Sequence, residues 1–342
     1  MIGRQIFSIV LLLTSVIGSI GNALLLWIIL SDGYFKNKPS FVIIASLSWC
    51  DFLGALSYGL NYFVYSFMPK TISNYELCMI FGMLNEITFL SHSVHMFTLA
   101  FNRCIVMGCS HNSKWRKLFT LKTTIPLLIF IWSGSIVMRV WHLRVGGIAI
   151  LPSLFSCFVN YKNFIPIIFK VHLIWQYANL TATALFYIYL FIWLKRQRKR
   201  IHILNNYNCI TSTNPEFRPS CIPTVSLIES RSVYPENRAI GFSNNDGIPN
   251  VILFQRNIHK HMSERKRRER DIIHYALALF GIYMFETLSF TLQKYFPNLD
   301  YNLYTFVFSY LYCLIFASNS IISIFYMSLF RQKMIELAKK LF

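Results

Sequence analysis

Seven long apolar stretches run through this chain, over residues 6–30, 41–67, 77–106, 122–141, 167–194, 271–293 and 302–327. Each spans about 20 residues or more, and at ~1.5 Å rise per residue that is enough helix to cross a hydrocarbon core of ~30 Å. In lipid only a helix satisfies its own backbone, and the ten-residue alternating segments of a membrane barrel are absent. The pattern predicts an all-α membrane protein, a seven-transmembrane helix bundle forming a single domain over 1–342. Residues 201–262 are polar and rich in Asn, Ser and Pro, and this third cytoplasmic loop is predicted to be mostly disordered. After Tyr326, the apolar Phe330, Met334, Leu337 and Leu341 recur at spacings of 4, 3 and 4 opposite Arg331, Lys333, Lys339 and Lys340. That periodicity predicts a C-terminal amphipathic interfacial helix over 328–341, in contact with membrane lipid.

The formal net charge of +19 raises nucleic acid as a partner, and the placement of the charge argues against it. Twenty-five of the 33 Lys and Arg residues lie in 31–39, 107–122, 195–270 and 328–342, the alternate connections and the C-terminal end. Positive residues mark the cytoplasmic side. The expected topology is therefore a multi-pass plasma-membrane protein with its N-terminus outside and its C-terminus in the cytoplasm. The first stretch lacks a small-residue cleavage site and carries Asn22, so it reads as an uncleaved signal anchor. Of the eight cysteines, this topology leaves only Cys78 and Cys157 facing an oxidising compartment, which makes them the expected disulfide. No Asn-x-Ser/Thr acceptor falls in an outer segment.

Within the stretches, single polar residues carry the functional information. Gly18, Gly21 and Asn22 stand together in GSIGNALLLW, where small residues admit a neighbouring backbone and an amide asks for a partner. Asp51, in SLSWCD, is carried to mid-membrane, where an ionisable group is a functional hypothesis by default. His92 lies three turns before Arg103, near the depth of Asp51, and reads either as its partner or as a core histidine bonded to a carbonyl. His95 follows on the same helix. Asn85 and Glu86 lie nearer the outside, and Glu86 reads as a ligand contact or as the partner of another helix. Glu286 is the corresponding acid of the sixth stretch. Asn319, Ser320 and Ser323 fall at a depth near Asp51.

Taken in order, Gly21-Asn22, Asp51 in SLSWCD, the interval from Cys78 to Arg103, Trp132, Cys157, and Asn319-Ser320 to Tyr326 with its terminal helix resemble a rhodopsin-like G-protein-coupled receptor. FNRCIVM followed by KWRKLFT, the CFVNY segment and the basic WLKRQRKR look like the nematode serpentine chemoreceptors of class x. The resemblance implies a receptor, not an enzyme, without a cofactor. It would bind a small-molecule or peptide ligand against Asn85, Glu86 and Glu286 and signal to a heterotrimeric G protein.

By the same resemblance Arg103 is the arginine held inward at rest that meets the G protein when the sixth helix swings out. Asp51 with Asn22, Asn319 and Ser323 matches the network that holds sodium in many relatives. Tyr326 matches the switch tyrosine, one residue early. The usual acid before the arginine is Asn102, which leaves Glu269 or Asp271 at the foot of the sixth helix to hold Arg103; the usual tyrosine after it is Cys104, and the last three stretches contain no proline. His92 occupies the place of a small sodium-site residue, so no sodium-dependent modulation is expected. A seven-span transporter or ligand-gated channel is the competing class. It would call for repeated halves, proline-broken helices or a charged pore ring, and none is visible. His92 and His95 lack the intervening acid of a His-Glu-x-x-His metal motif.

Overall fold

The computed structural model describes residues 2–67, 75–108, 114–146, 148–151, 156–159, 166–210, 271, 273–275, 277–285 and 301–341. Helix α1 (Ile2–Ser31) ends at Asp32, whose carboxylate accepts from the Tyr34 N–H at 2.8 Å and so starts the single turn of α2 (Gly33–Lys36). Pro39, suited to a first helical position, opens α3 (Pro39–Phe67). Then come α4 (Tyr75–Gly108), a 3-10 turn (Lys114–Phe119) and α5 (Leu121–Gly146). Strands β1 (Ile148–Leu151) and β2 (Ser156–Val159) form an antiparallel hairpin that puts Ile148 opposite Val159. The chain continues with α6 (Pro166–Ile210), α7 (Ile273–Phe285), α8 (Tyr301–Tyr326) and α9 (Ser328–Leu341).

Seven of these helices, α1 and α3 to α8, fall on the seven apolar stretches. Among the described residues, α1, α3, α5 and α8 contain segments long and apolar enough to cross a membrane. Helix α4 is longer than any of these but carries the polar residues of the site described below. Helix α6 continues through Ile210, past residue 201 where the loop expected to be mostly disordered begins. Its LKRQRKRIHIL run is made largely of good helix formers and contains neither Gly nor Pro, so nothing stops the helix where the apolar stretch ends. Residues 211–270 lie outside the described set.

The chain divides into two compact units, one of residues 1–187 with 271–342 and one of residues 188–270. In the described residues the second unit is the continuation of α6. In the first, α1 packs on α3 and α8, α3 packs also on α4, and α4 packs on α5. Its apolar centre is aromatic. Tyr58 and Tyr312 lie 4.7 Å apart between ring centroids, and Phe316 meets Tyr312 edge-on at 5.2 Å.

Small residues let α1 and α8 touch through their backbones: a Cβ on Gly18 would lie 2.7 Å from the Ala317 Cα. Helix α9 is anchored by Phe330, buried and stacked on Phe35 at 4.9 Å, while Lys333 reaches Asp32 at 3.4 Å. Asp32 thus both caps α2 and binds α9.

Gly18→Val forces α1 away from α8 and is expected to destabilise the protein by about 1–3 kcal/mol. Thermal unfolding in detergent micelles checks this, and a midpoint equal to that of the parent protein would show that the close approach contributes nothing.

Candidate functional site: polar layers along one helix

Helix α4 carries three polar layers, and adjacent polar residues in it turn by about 100° to face different neighbours. At its N-terminal end, Asn85 accepts from Ser57 Oγ at 2.6 Å, and its backbone carbonyl accepts from Tyr312 Oη at 3.2 Å. Asn85 therefore faces α3 and α8. Glu86 faces α5 instead, where its carboxylate lies 2.8 Å from Arg139 Nη2, with the two side chains only 8% and 1% exposed. Of the two readings of Glu86, the structure shows the pairing between helices. The sequence reading placed Arg139 only among the outer charges. The signal for it was its position seven residues after Trp132, two turns on along the same helix face. Glu286 lies outside the described residues.

In the middle layer His92 Nδ1 lies 2.7 Å from Asp51 Oδ1, and both groups are buried. His95 takes the other histidine role. Its Nδ1 is 2.6 Å from the Ser91 carbonyl, which can only accept, so the proton sits on Nδ1. Its Nε2 then accepts from Ser46 Oγ at 2.7 Å, and Ser46 Oγ accepts from Trp132 Nε1 at 3.1 Å. One neutral tautomer thus satisfies a chain of hydrogen bonds joining α3, α4 and α5.

Asn319 of α8 lies beside the Asp51 carboxylate, donates to Ser48 Oγ at 3.2 Å and accepts from the Tyr275 hydroxyl of α7. Ser323 is buried beside that same hydroxyl. Asp51, His92, Asn319 and Ser323 are therefore brought together. Asn22 takes another course and donates to the Phe316 carbonyl at 2.7 Å, binding α1 to α8. Tyr275 escaped the sequence reading. Its signal was the inward stripe Tyr275, Leu279 and Tyr283, all buried at helical spacing.

At the C-terminal end of α4, Asn102 is buried and accepts from Ser40 Oγ at 2.7 Å, so it faces the start of α3. Arg103, one residue on and also buried, stands within electrostatic reach of Tyr187 in α6 and Tyr275 in α7. Tyr326 is 44% exposed at the end of α8, its ring 6.3 Å from that of His274. The side chains of Cys78 and Cys157 are outside the described set; the backbone of β2, which carries Cys157, packs along α4. Among the described residues there is no cluster of His, Cys, Asp and Glu that could hold a metal ion.

Removing one partner of a buried ion pair leaves the other charge uncompensated, a loss of about 3–5 kcal/mol. Glu86→Gln is expected to lower stability by that order, and the double variant with Arg139→Met to recover most of it. Paired thermal melts read the difference, and a double variant no more stable than Glu86→Gln alone would rule out the ion pair as the source.

No protein-family model matches the chain. It is 25% identical over 187 residues to melatonin receptor type 1C of Gallus gallus and 22% identical over 202 residues to melatonin receptor type 1A-A of Danio rerio. These alignments cover 54% and 57% of this chain, and the chain spans about half the length of those relatives, 52% and 55%. The crystal structure of squid rhodopsin superimposes with a TM-score of 0.66 at 12% identity, covering 96% of this chain and 83% of that one. These matches are to receptors, not to enzymes. The chain has the all-helical fold of squid rhodopsin, and over about half its length it is similar in sequence to melatonin receptors.

Proposed function

We propose that this chain is a G-protein-coupled chemosensory receptor, of the kind found among the nematode serpentine receptors of class x. It binds a small external ligand in the outer half of the bundle and signals to a heterotrimeric G protein at the inner end. The observation that carries this reading is the setting of Arg103. It is buried at the end of α4, in reach of tyrosines from α6 and α7, on the same helix that bears the Asp51 partner and the Asn85-Glu86 layer. A ligand that reorganises the upper layer acts on the helix whose foot carries the coupling arginine. A few kcal/mol of differential affinity between two arrangements is enough to shift the population.

In this reading Asn85, Glu86 and Glu286 recognise the ligand, and Arg103, Asn102 and Tyr326 form the coupling end. The ligand recruits Arg139 as well, since a polar group that competes for either member of the Glu86–Arg139 pair must deal with both. A Cys78–Cys157 disulfide fixes the hairpin over α4, which accords with the packing of β2 on that helix. The N-terminus lies outside and the C-terminus inside, a placement that the basic loops support.

A chemically diverse panel that includes melatonin, the ligand named in the matched relatives, is the direct test, read as calcium or cAMP responses of expressing cells. Arg103→Ala is expected to abolish the response at unchanged surface expression, and Glu86→Gln to shift ligand potency. Full signalling from Arg103→Ala would falsify the coupling role.

The 2.7 Å contact of His92 with Asp51 supports the expectation that histidine fills the space and meets the charge that sodium would otherwise serve. Agonist affinity is accordingly expected to be the same in sodium and in a bulky organic cation at equal ionic strength. A large sodium-specific shift that disappears in Asp51→Asn would overturn this.

A further inference from the structure

A groove of about 410 Å³ lies between the C-terminal half of α1 and α3, walled by Ala23, Trp27, Leu30 and Ser31 of the first helix and Trp49 and Phe52 of the second. It opens outward, with Trp27 64%, Leu30 59% and Trp49 44% exposed. Both helices contain segments long and apolar enough to cross a membrane, so an open apolar face between them meets lipid. From Ala23 to Ser31 the wall runs ~12 Å along the helix, close to the ~15 Å from the middle of a hydrocarbon core to its edge. At the deep end the Trp49 ring stacks on Phe52 at 5.4 Å, and the small side chain of Ala23 keeps that end open. The shallow end is basic. The Lys38 carbonyl accepts from Phe41 N–H at 3.0 Å and Val42 N–H at 3.2 Å, so Lys38 begins the course of α3, and a rotation of ~100° per residue brings it within about 20° of the face of Trp49. Its ammonium sits over the Tyr34 ring at 5.6 Å, just past Ser31. Lys36 ends the turn of α2 that follows the groove, and both lysines are exposed. The acid nearest them in sequence, Asp32, is engaged elsewhere: its carboxylate accepts from the Tyr34 N–H and meets Lys333 of α9.

We propose that this groove is a binding site for an anionic phospholipid such as phosphatidylserine: one acyl chain lies along Trp27 and Leu30 and ends between Ala23 and Trp49, and the anionic headgroup sits at Lys38 and Lys36. The proposal rests on the receptor reading only for its orientation, which puts the lysines in the cytoplasmic leaflet, where anionic lipid is found. Charge complementarity selects the occupant. A sterol would use the same apolar walls but has no charge to offer the lysines, and phosphatidylcholine brings a cation of its own to them. Trp27, one turn in from Ser31, stands at the depth of the glycerol esters, where its indole N–H is a donor for an ester carbonyl. The basic face of α9 attracts an anionic surface through charge alone. The groove differs in requiring a chain and a headgroup of one molecule together.

Native mass spectrometry of the full chain, purified in detergent and supplied with phosphatidylserine and phosphatidylcholine of matched acyl chains, reads the retained lipid. The parent protein is expected to retain phosphatidylserine about tenfold over phosphatidylcholine, the order that lysines at a membrane surface supply. Lys36→Gln with Lys38→Gln is expected to abolish that preference while leaving phosphatidylcholine retention unchanged. Ala23→Phe fills the deep end and is expected to lower retention of both lipids. Lys339→Gln with Lys340→Gln, on the basic face of α9, is expected to keep the preference. The substituted side chains are exposed, so melts without added lipid should match that of the parent protein. No preference in the parent protein, a preference lost equally in the α9 variant, or undiminished retention in Ala23→Phe overturns the proposal. So does cholesterol displacing phosphatidylserine from the parent protein in competition. If the preference holds but Lys38→Cys gains a label over the parent protein from a membrane-impermeant thiol reagent outside intact cells, the lipid site stands and the orientation of the receptor reading falls.

Discussion

A carboxylate, guanidinium or amide carried into the middle of a bilayer has no water to turn to, and its partner must come from another helix. That constraint sorts the contacts of α4. Glu86 draws Arg139 from α5, His92 draws Asp51 from α3, and Asn102 draws Ser40 from the start of α3. Each of these is a directional link between helices that would otherwise meet through apolar surfaces, where lipid competes on equal terms. Buried ion pairs add little net stability over well-packed apolar residues, but breaking one is costly. Their effect here is to fix rotation: because neighbours such as Asn85 and Glu86 point about 100° apart, satisfying both leaves α4 a single orientation about its axis.

Close packing around this polar column comes from small residues at the helix contacts. Gly18 brings α1 against Ala317, and a Cβ on Gly54 would sit 2.6 Å from the Phe316 ring, so α8 is held closely by α1 and α3 together. Asn22 adds a side-chain bond to the Phe316 carbonyl in the same place. The three helices form a well-determined frame, and Asn319 and Asp51 are mounted on it. A residue from another helix that bonds to Asn319 is therefore held against a rigid support.

The helix count, the terminal amphipathic helix and the polar residues at risk in lipid were legible in the sequence, because hydropathy and the cost of burying charge are local properties. Pairings were legible only where both partners were conspicuous. Asp51 and His92 were matched by depth, whereas Arg139 was read as a boundary charge because helix α5 extends to Gly146, past the apolar stretch that seemed to end at residue 141. Tyr275 was overlooked for a different reason: a tyrosine in an apolar run reads as core, and only its neighbour across the bundle shows that its hydroxyl is used. Histidine roles were ambiguous in the same way. Nothing in the local sequence separates His92, bound to a carboxylate, from His95, bound to a carbonyl and a serine.

The substitution of Asn for the acid before Arg103 bears on how such a bundle stays at rest. An acid there would pair with its own neighbour, a contact contained within one helix. Asn102 cannot neutralise the guanidinium, and its acceptor is already engaged by Ser40. Arg103 stands within electrostatic reach of tyrosines from α6 and α7, and one of them is bonded onward to α8. Asn319, which accepts that bond, is itself held by Ser48 and lies beside Asp51. The last three apolar stretches contain no proline, so any bend in these helices has another cause. Tyr275 lies near the start of α7, so its hydrogen bond to Asn319 ties that end of the helix to α8.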